Sequence, residues 1–381
     1  MSSVHSGLDG VVVADTELSD VDGERGQLIV RGHEIEDLVG RVSFEDVCGL
    51  LWSGRLPSAA EREALRTHVA AARSEAFALL PSLGGALELP DGMDALRAAL
   101  AHLRASGDIA GDSHLLTGAT AVFAAAWARR QRGETPVEPD RSLSHAADYL
   151  RLIAGAPPPA PLVQGLDAYL CCVADHGLNA STLAARVVAS TGSDMVSAVV
   201  AGVGALKGPL HGGAPGPVLD MLDAIGDPAR TRQWLVDQIA AGRRIMGMGH
   251  RVYRVRDPRA AALERAAARL AAEGGAGTRL SFAAVVEREA EALLAERHPE
   301  RNLRANVEFY TAVLLEAVGI PRALFSPTFA ASRVAGWCAH YDEQRRRGRL
   351  MRPLSNYIGP RPAPLPRTEG TTKDTKATKR K

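Results

Sequence analysis

The sequence predicts an all-α fold, on three observations. Hydrophobic residues make up 46% of the 381 positions while aromatics make up only 4%, so the apolar content is largely Ala, Leu and Val. Ala and Leu are strong helix formers. Apolar residues recur with a period near 3.6 in six segments, Ala59–Leu80, Met93–Ala105, Ser142–Ile153, Ala180–Ser190, Ala260–Ala272 and Phe282–Glu296, the spacing that gives a helix one buried face. Pro- and Gly-rich breaks separate them, among them GETPVEPD (133–140), GAPPPAPL (155–162) and GGAGT (274–278). No unit repeats at fixed period, which argues against a helical solenoid.

The first thirty residues differ from the rest. Val11–Ala14 and Leu28–Arg31 are short β-prone runs on either side of SDVDGERG, whose Asp22–Gly23 suits a tight turn, so a small N-terminal β-hairpin is predicted. The pattern turns helical from Phe44. A helical run ends at Lys207–Gly208–Pro209. Asp257–Pro258 reads as a helix start, Asp at the N-cap and Pro at the first helical position. Asn306 is placed to cap a helix carrying Glu308 in its first turn, and Ser326–Pro327 to open another that carries Arg333. Arg352 lies at MRP, where the chain leaves the helical body.

Composition excludes several classes of function. The formal net charge is +1, but the last 22 residues alone carry +5, leaving −4 on the remainder; such a body offers no electrostatic footprint for nucleic acid. Four of the five lysines fall at Lys373, Lys376, Lys379 and Lys381, beyond PRPAPLP, which marks 361–381 as a disordered basic tail. Cys48, Cys171, Cys172 and Cys338 show no C-x-x-C spacing and read as reduced, buried thiols. The N-terminus has no basic n-region, and no run reaches the ~18 apolar residues of a membrane helix. A soluble, cytoplasmic protein is expected.

Three segments carry chemistry. In GALKGPLHGGA (204–214), glycines beside His211 let backbone and ligand approach closely, although a glycine-flanked His also serves as a plain turn residue. In MGMGHRVYRVRDPRA (246–260), His250 and the amides of 246–249 precede a helix whose first turn holds Arg259, where free N–H groups favour an anion. Arg251, Arg254 and Arg256 add charge, with Arg256 read as a solvated surface residue. In 306–352, Glu308 reads either as a base or as a residue complementing the helix dipole. Arg333 stands in the apolar stretch PTFAASRVAGWCA and needs an anionic partner there. Two histidines, a carboxylate and several arginines in Gly- and Pro-shaped turns suit acid–base chemistry on a di- or tricarboxylate.

Over residues 7–360 the sequence resembles the citrate synthase family. GALKGPLHGGA, GMGHRVYRVRDPRA, and NVEFY followed by LFSPTFAASRVAGW match the family's signature stretches in order, and ADHGLNASTLAARVVAST (174–191) resembles a fourth. The resemblance implies a helical large domain of 1–213 and 319–360 and a small domain of 214–318. It implies condensation of acetyl-CoA with oxaloacetate and hydrolysis of citryl-CoA, without a metal. His211 would hydrogen-bond the thioester oxygen, His250 would polarise the oxaloacetate carbonyl, and Glu308 would remove the methyl proton. His176, Arg259, Arg333 and Arg352 would hold oxaloacetate, Arg352 from the partner subunit of a homodimer. Arg254 and the backbone of Met246, Gly247, Met248 and Gly249 would face CoA. Neither nucleic acid nor membrane is an expected partner. The alternatives are a 2-methylcitrate synthase using propionyl-CoA and a non-catalytic paralogue that binds CoA or a dicarboxylate. The sequence departs from the family pattern in three places. Glu308 stands where Asp is usual, H-G-G-A-N-E reads His211–Gly212–Gly213–Ala214–Pro215–Gly216, and Y-R-G-Y reads Val30–Arg31–Gly32–His33.

Overall fold

The computed structural model describes residues 6–8, 10–212, 215–273 and 277–360. Fifteen α-helices and one three-stranded sheet make up the regular structure of these residues, so the all-α expectation holds. The expected basic tail, 361–381, lies outside the described residues, as does most of GGAGT.

Local sequence sets the helix ends. Asp257 caps Pro258–Ala272 through its side chain on the Arg259 N–H, with Pro258 at the first position. Asn306 caps Val307–Ala317, and Asn179 caps Ala180–Ser190. Met195–Leu206 stops at Lys207, ahead of Gly208–Pro209. At Ser326 the expectation needs correction. The last long helix runs Phe325–Arg347 without a side-chain cap, because a 3₁₀ turn at Arg322–Leu324 leads directly into it. The Ser326 hydroxyl instead donates to the Gly212 carbonyl at 2.7 Å.

Ala59–Ala78 packs along Ile109–Gln131, Ala180–Ser190 along Met195–Leu206, and Pro258–Ala272 along Val307–Ala317. Phe325–Arg347 packs against Ile109–Gln131, Ala180–Ser190 and Met195–Leu206 and is buried along most of its length. Where Ile109–Gln131 meets its neighbour, a Cβ on Gly118 would stand 2.7 Å from the Arg73 amide nitrogen, so the absence of a side chain sets how closely the two backbones approach. The four cysteines are free thiols and all buried.

The hairpin forms, shifted from the expected register. Strand β1 is Ser19–Asp22 and β2 is Gln27–Val30, antiparallel with Asp22 opposite Gln27. Asp22 Oδ1 accepts from the amides of Glu24 and Arg25 and so shapes the turn. A four-residue turn pairs the residues immediately before it, which leaves Val11–Val13 exposed and unpaired. Strand β3, His33–Glu34, follows across Arg31–Gly32, both at positive φ. The departure Val30–Arg31–Gly32–His33 is thus itself a second tight turn, with Val30 paired to His33.

The described residues divide into two units, 14–351 and a small one comprising 6–13 and 352–360. In the second, Leu354, Tyr357 and Ile358 are exposed and Arg352 is also exposed. None of the described helices is long and apolar enough to cross a membrane.

Candidate active site

The turn that carries His211 follows Met195–Leu206, with His211 and Gly212 both donating their amides to the Gly208 carbonyl. The ring Nε2 receives the Ser181 amide at 3.2 Å and lies 2.8 Å from the Ser181 hydroxyl. A backbone N–H can only donate, so Nε2 is the unprotonated nitrogen and the ring proton sits on Nδ1. Burial, then the nearby charge of Arg333, lowers the His211 pKa to about 4. The imidazole is therefore neutral at ordinary pH. Ser181 is wholly buried and also accepts from the Trp337 indole at 3.2 Å.

His250 has the opposite tautomer, fixed in the same manner. Its Nδ1 accepts the amides of Val252 at 3.0 Å and Tyr253 at 3.2 Å, so the proton is on Nε2. Burial and then Arg259 hold its pKa near 4. The loop before it turns on Gly247 and Gly249, both at positive φ, where a Cβ on Gly247 would meet Phe309 at 2.9 Å. Asn306 ties this loop to the helix of Glu308, donating its amide to Gly247 O at 2.9 Å and its side chain to Gly249 O at 2.8 Å. His176 completes an aromatic group, its ring centroid 5.7 Å from His250 and its Nε2 3.1 Å from the Tyr253 hydroxyl. Burial, with Arg259 and Arg333 close by, keeps its pKa well below the usual value.

The arginines fall into two groups. Arg333 is fully buried, its Nε donates to Val173 O at 2.8 Å, and its Nη2 has no partner among the described residues. Burial pulls its pKa down to about 10, and Asp175 is the first charge that opposes this. Asp175 itself is spoken for, accepting from Ser19 Oγ at 2.5 Å and lying 3.1 Å from His340 Nε2. Arg259 closes its fork on Asp257, with Nε at 3.1 Å and Nη2 at 2.8 Å. Asp257 also accepts the Val307 amide at 3.2 Å, so one carboxylate joins two helix starts. Arg254 is exposed, 3.9 Å from Glu24. Arg256 is not the solvated residue its sequence suggests. It pairs with Glu287 and Glu264, both at 2.8 Å, over the ring of Tyr310.

Glu308 is half-buried in the first turn of Val307–Ala317 and its carboxylate has no hydrogen bond or ion pair among the described residues. Burial raises its pKa to about 7, against a smaller pull downward from Arg259. His176, His250, Arg259 and Arg333 act on one another electrostatically, His211 couples to Arg333, and Glu308 couples to Arg259. The structure thus brings six of the expected residues into one neighbourhood. Arg352 belongs to the other unit. Sequence reasoning missed Ser181, Tyr253 and Asp175 as partners of these groups, and it read Asp257 only as a cap. Asp175 and Ser181 lie within 174–191, a stretch already singled out, where their proximity to His176 was the available signal.

Known proteins resemble this chain over almost its whole length. The family profile described as "Citrate synthase, C-terminal domain" matches residues 7–354. The chain is 38% identical over 367 residues to a citrate synthase of Haloferax volcanii, covering 93% of this chain and 95% of that one. It is also 38% identical over 375 residues to a 2-methylcitrate synthase of Mycobacterium tuberculosis, covering 96% and 93%. Its fold matches a citrate synthase of Thermoplasma acidophilum solved in ternary complex with carboxymethyl coenzyme A and oxaloacetate, with a TM-score of 0.85, 27% identity and coverage of 96% and 98%. The chain belongs to the citrate synthase family.

Proposed function

We propose that this chain condenses acetyl-CoA with oxaloacetate and hydrolyses the citryl-CoA formed to citrate and CoA. The observation that carries the reading is the pair of neutral histidines with opposite tautomers, which leave His211 Nδ1–H and His250 Nε2–H as uncharged donors.

In this reading Glu308 takes a proton from the acetyl methyl group, the C–H pair becomes the C=C bond of an enolate, and the thioester π pair moves onto the oxygen, which accepts the His211 Nδ1–H hydrogen bond. The C=C pair of the enolate then forms the new bond to the ketone carbon of oxaloacetate as the thioester C=O re-forms, and the ketone π pair moves onto its oxygen, which takes the His250 Nε2 proton that solvent afterwards restores. Positioned donors of this kind are worth about 3–4 kcal/mol each in other enzymes. Arg333, with one buried N–H unclaimed, takes a substrate carboxylate. His176 and Arg259 line the same site, Arg259 mainly by holding Asp257 and the two helix starts together. Water then cleaves the thioester. A lifted Glu308 pKa suits the role, since a base works best with a pKa near the operating pH. No step so drawn calls for a metal.

Arg254 and the backbone of 246–249 are assigned to CoA, and exposure of Arg254 suits a phosphate contact. We assign Arg352 to the site of a second copy in a homodimer. Leu354, Tyr357 and Ile358 are 92%, 70% and 97% exposed, apolar surface that a partner chain would cover. The large domain of 1–213 and 319–360 and the small domain of 214–318 are retained as the working division, and the free thiols fit a cytoplasmic location.

The test is CoA release from acetyl-CoA and propionyl-CoA, each with and without oxaloacetate. Oxaloacetate-dependent release with acetyl-CoA preferred is expected. Preference for propionyl-CoA would favour the 2-methylcitrate reading, which the relative of that name supports. No oxaloacetate-dependent release with either would leave a binding paralogue.

A further inference from the structure

We propose that the N-terminal hairpin is a gauge that sets the spacing of His176 and His250, with Ser19 and Gly23 as its positioning residues. The proposal rests on the reaction assigned above, in which both histidines face oxaloacetate.

The two histidines come from irregular segments 74 residues apart; their rings meet edge to face with centroids 5.7 Å apart, and the Tyr253 hydroxyl lies 3.1 Å from His176 Nε2. The hairpin touches the backbone of both segments. At one end of β1, Ser19 Oγ donates to Asp175 Oδ2 at 2.5 Å and accepts the Gly177 amide at 2.8 Å. One hydroxyl therefore holds the residues on either side of His176. Val21, on the same strand face, stands 3.4 Å from where a Gly177 Cβ would lie.

At the other end, the turn meets the segment that fixes His250. Gly23 O accepts the Arg254 amide at 2.8 Å. A Cβ on Gly23 would fall 2.2 Å from the Val252 carbonyl oxygen, and one on Gly26 2.5 Å from the Val255 side chain. Val252 is the pivot, because its amide holds His250 Nδ1 while its carbonyl rests on Gly23. Moving the turn moves that peptide, and with it the direction of the His250 Nε2–H. The strand between is four residues long, a rigid span of about 13 Å at the usual rise. Asp22 stiffens the turn through its two backbone hydrogen bonds. A loop-to-loop distance is thus referred to a short piece of sheet.

The test compares Ser19→Ala, Ser19→Thr, Gly23→Ala and, as a control on the hairpin, Gln27→Ala, whose side chain reaches only Glu34 across the strands. Displacing a positioned group by about 1 Å costs up to about 100-fold in rate. Ser19→Ala and Gly23→Ala are expected to lower kcat/KM for oxaloacetate by about 10- to 100-fold; in Ser19→Ala the KM for acetyl-CoA and the melting midpoint stay near wild type, whereas Gly23→Ala, whose turn also holds the Arg254 amide, raises the KM for acetyl-CoA as well. Ser19→Thr, which keeps the hydroxyl, and Gln27→Ala should both match wild type. In parallel, ¹⁵N spectra of labelled histidine should show the His250 ring signals displaced in Gly23→Ala and unmoved in Gln27→Ala. Unchanged kinetics and spectra in Ser19→Ala and Gly23→Ala would overturn the proposal, as would losses in Ser19→Ala that fall equally on both substrates and on the melting midpoint. Wild-type protein that does not turn over oxaloacetate would refute the assigned reaction instead, and the spectra would still decide the gauge.

Discussion

Replacing Glu308 by Gln tests the chemistry most directly, because the two side chains are nearly the same size and only the charge and basicity change. In the free protein the Glu308 pKa is about 7, raised by burial. The base form is then about a tenth of the population at pH 6, half at pH 7 and nine-tenths at pH 8. Wild-type kcat/KM should rise along that curve, while His211 and His250, with pKa values near 4, stay neutral throughout and add no inflection above pH 6. Removing a positioned base costs about 10²–10⁴-fold, so Glu308→Gln should lose turnover by that factor and lose the pH 6–8 rise, yet bind oxaloacetate with near wild-type affinity. Stability gives an independent sign. A carboxyl whose folded pKa is raised binds its proton more tightly when folded, so its contribution is present below about pH 4.5 and is lost as pH rises through 7. Above pH 7 the Gln variant should therefore melt no lower than wild type. Stopped-flow CoA release and calorimetric binding across pH 5.5–8.5 read all of this. Turnover within threefold of wild type would refute the assignment and leave Glu308 as a residue that complements its helix dipole.

Other substitutions probe the remaining groups. Arg333→Leu removes a buried cation with an unclaimed N–H; it should fold at least as stably as wild type and lose oxaloacetate affinity by about 30-fold or more, the effect of leaving a buried charge partner unpaired, and calorimetry showing wild-type affinity would sink the role. Asp257→Asn should cost about 3–5 kcal/mol in urea unfolding, since it strands the buried Arg259 and weakens two helix starts at once. Mixing inactive Arg352→Ala subunits with inactive His211→Ala subunits should restore partial activity in heterodimers, and confirmed subunit exchange without activity would place Arg352 outside the neighbouring site.

Helices with one apolar face were legible in the sequence, and those without were not. Ala180–Ser190 was found at its observed bounds and Pro258–Ala272 within two residues, because a cap and a one-sided apolar stripe coincide. Ile109–Gln131 was missed although it is among the longest. It is buried on nearly every face from Asp112 to Ala128, so its sequence carries no stripe for a 3.6-residue period to reveal. The hairpin turn was found and its first strand misplaced by eight residues, since Val11–Ala14 has the stronger β propensity but Ser19–Asp22 has the turn beside it. Pairing geometry outweighed propensity there.

In the site, residue types pointed to chemistry but not to protonation. A histidine in a glycine-rich turn reads the same whether it is cationic or neutral. What separates the cases is the direction of backbone amides, which depends on residues as distant as Ser181 from His211 and as near as Val252 from His250. Both rings receive N–H bonds on one nitrogen, and both lie near a buried arginine that raises the cost of a second positive charge. The arginines proposed to attract an anionic substrate therefore add to burial in keeping the histidines neutral. Arg256 shows the limit in the other direction. Its neighbours in sequence are arginines, but its partners Glu264 and Glu287 lie on two separate helices, and Tyr310 beneath it donates to Glu287 at 2.5 Å. That cluster anchors the helix of Glu308 two residues beyond the carboxylate. The base proposed here, one methylene longer than the family's usual Asp, thus sits on a helix start held from two sides, by Asp257 on the Val307 amide and by Glu287 on Tyr310.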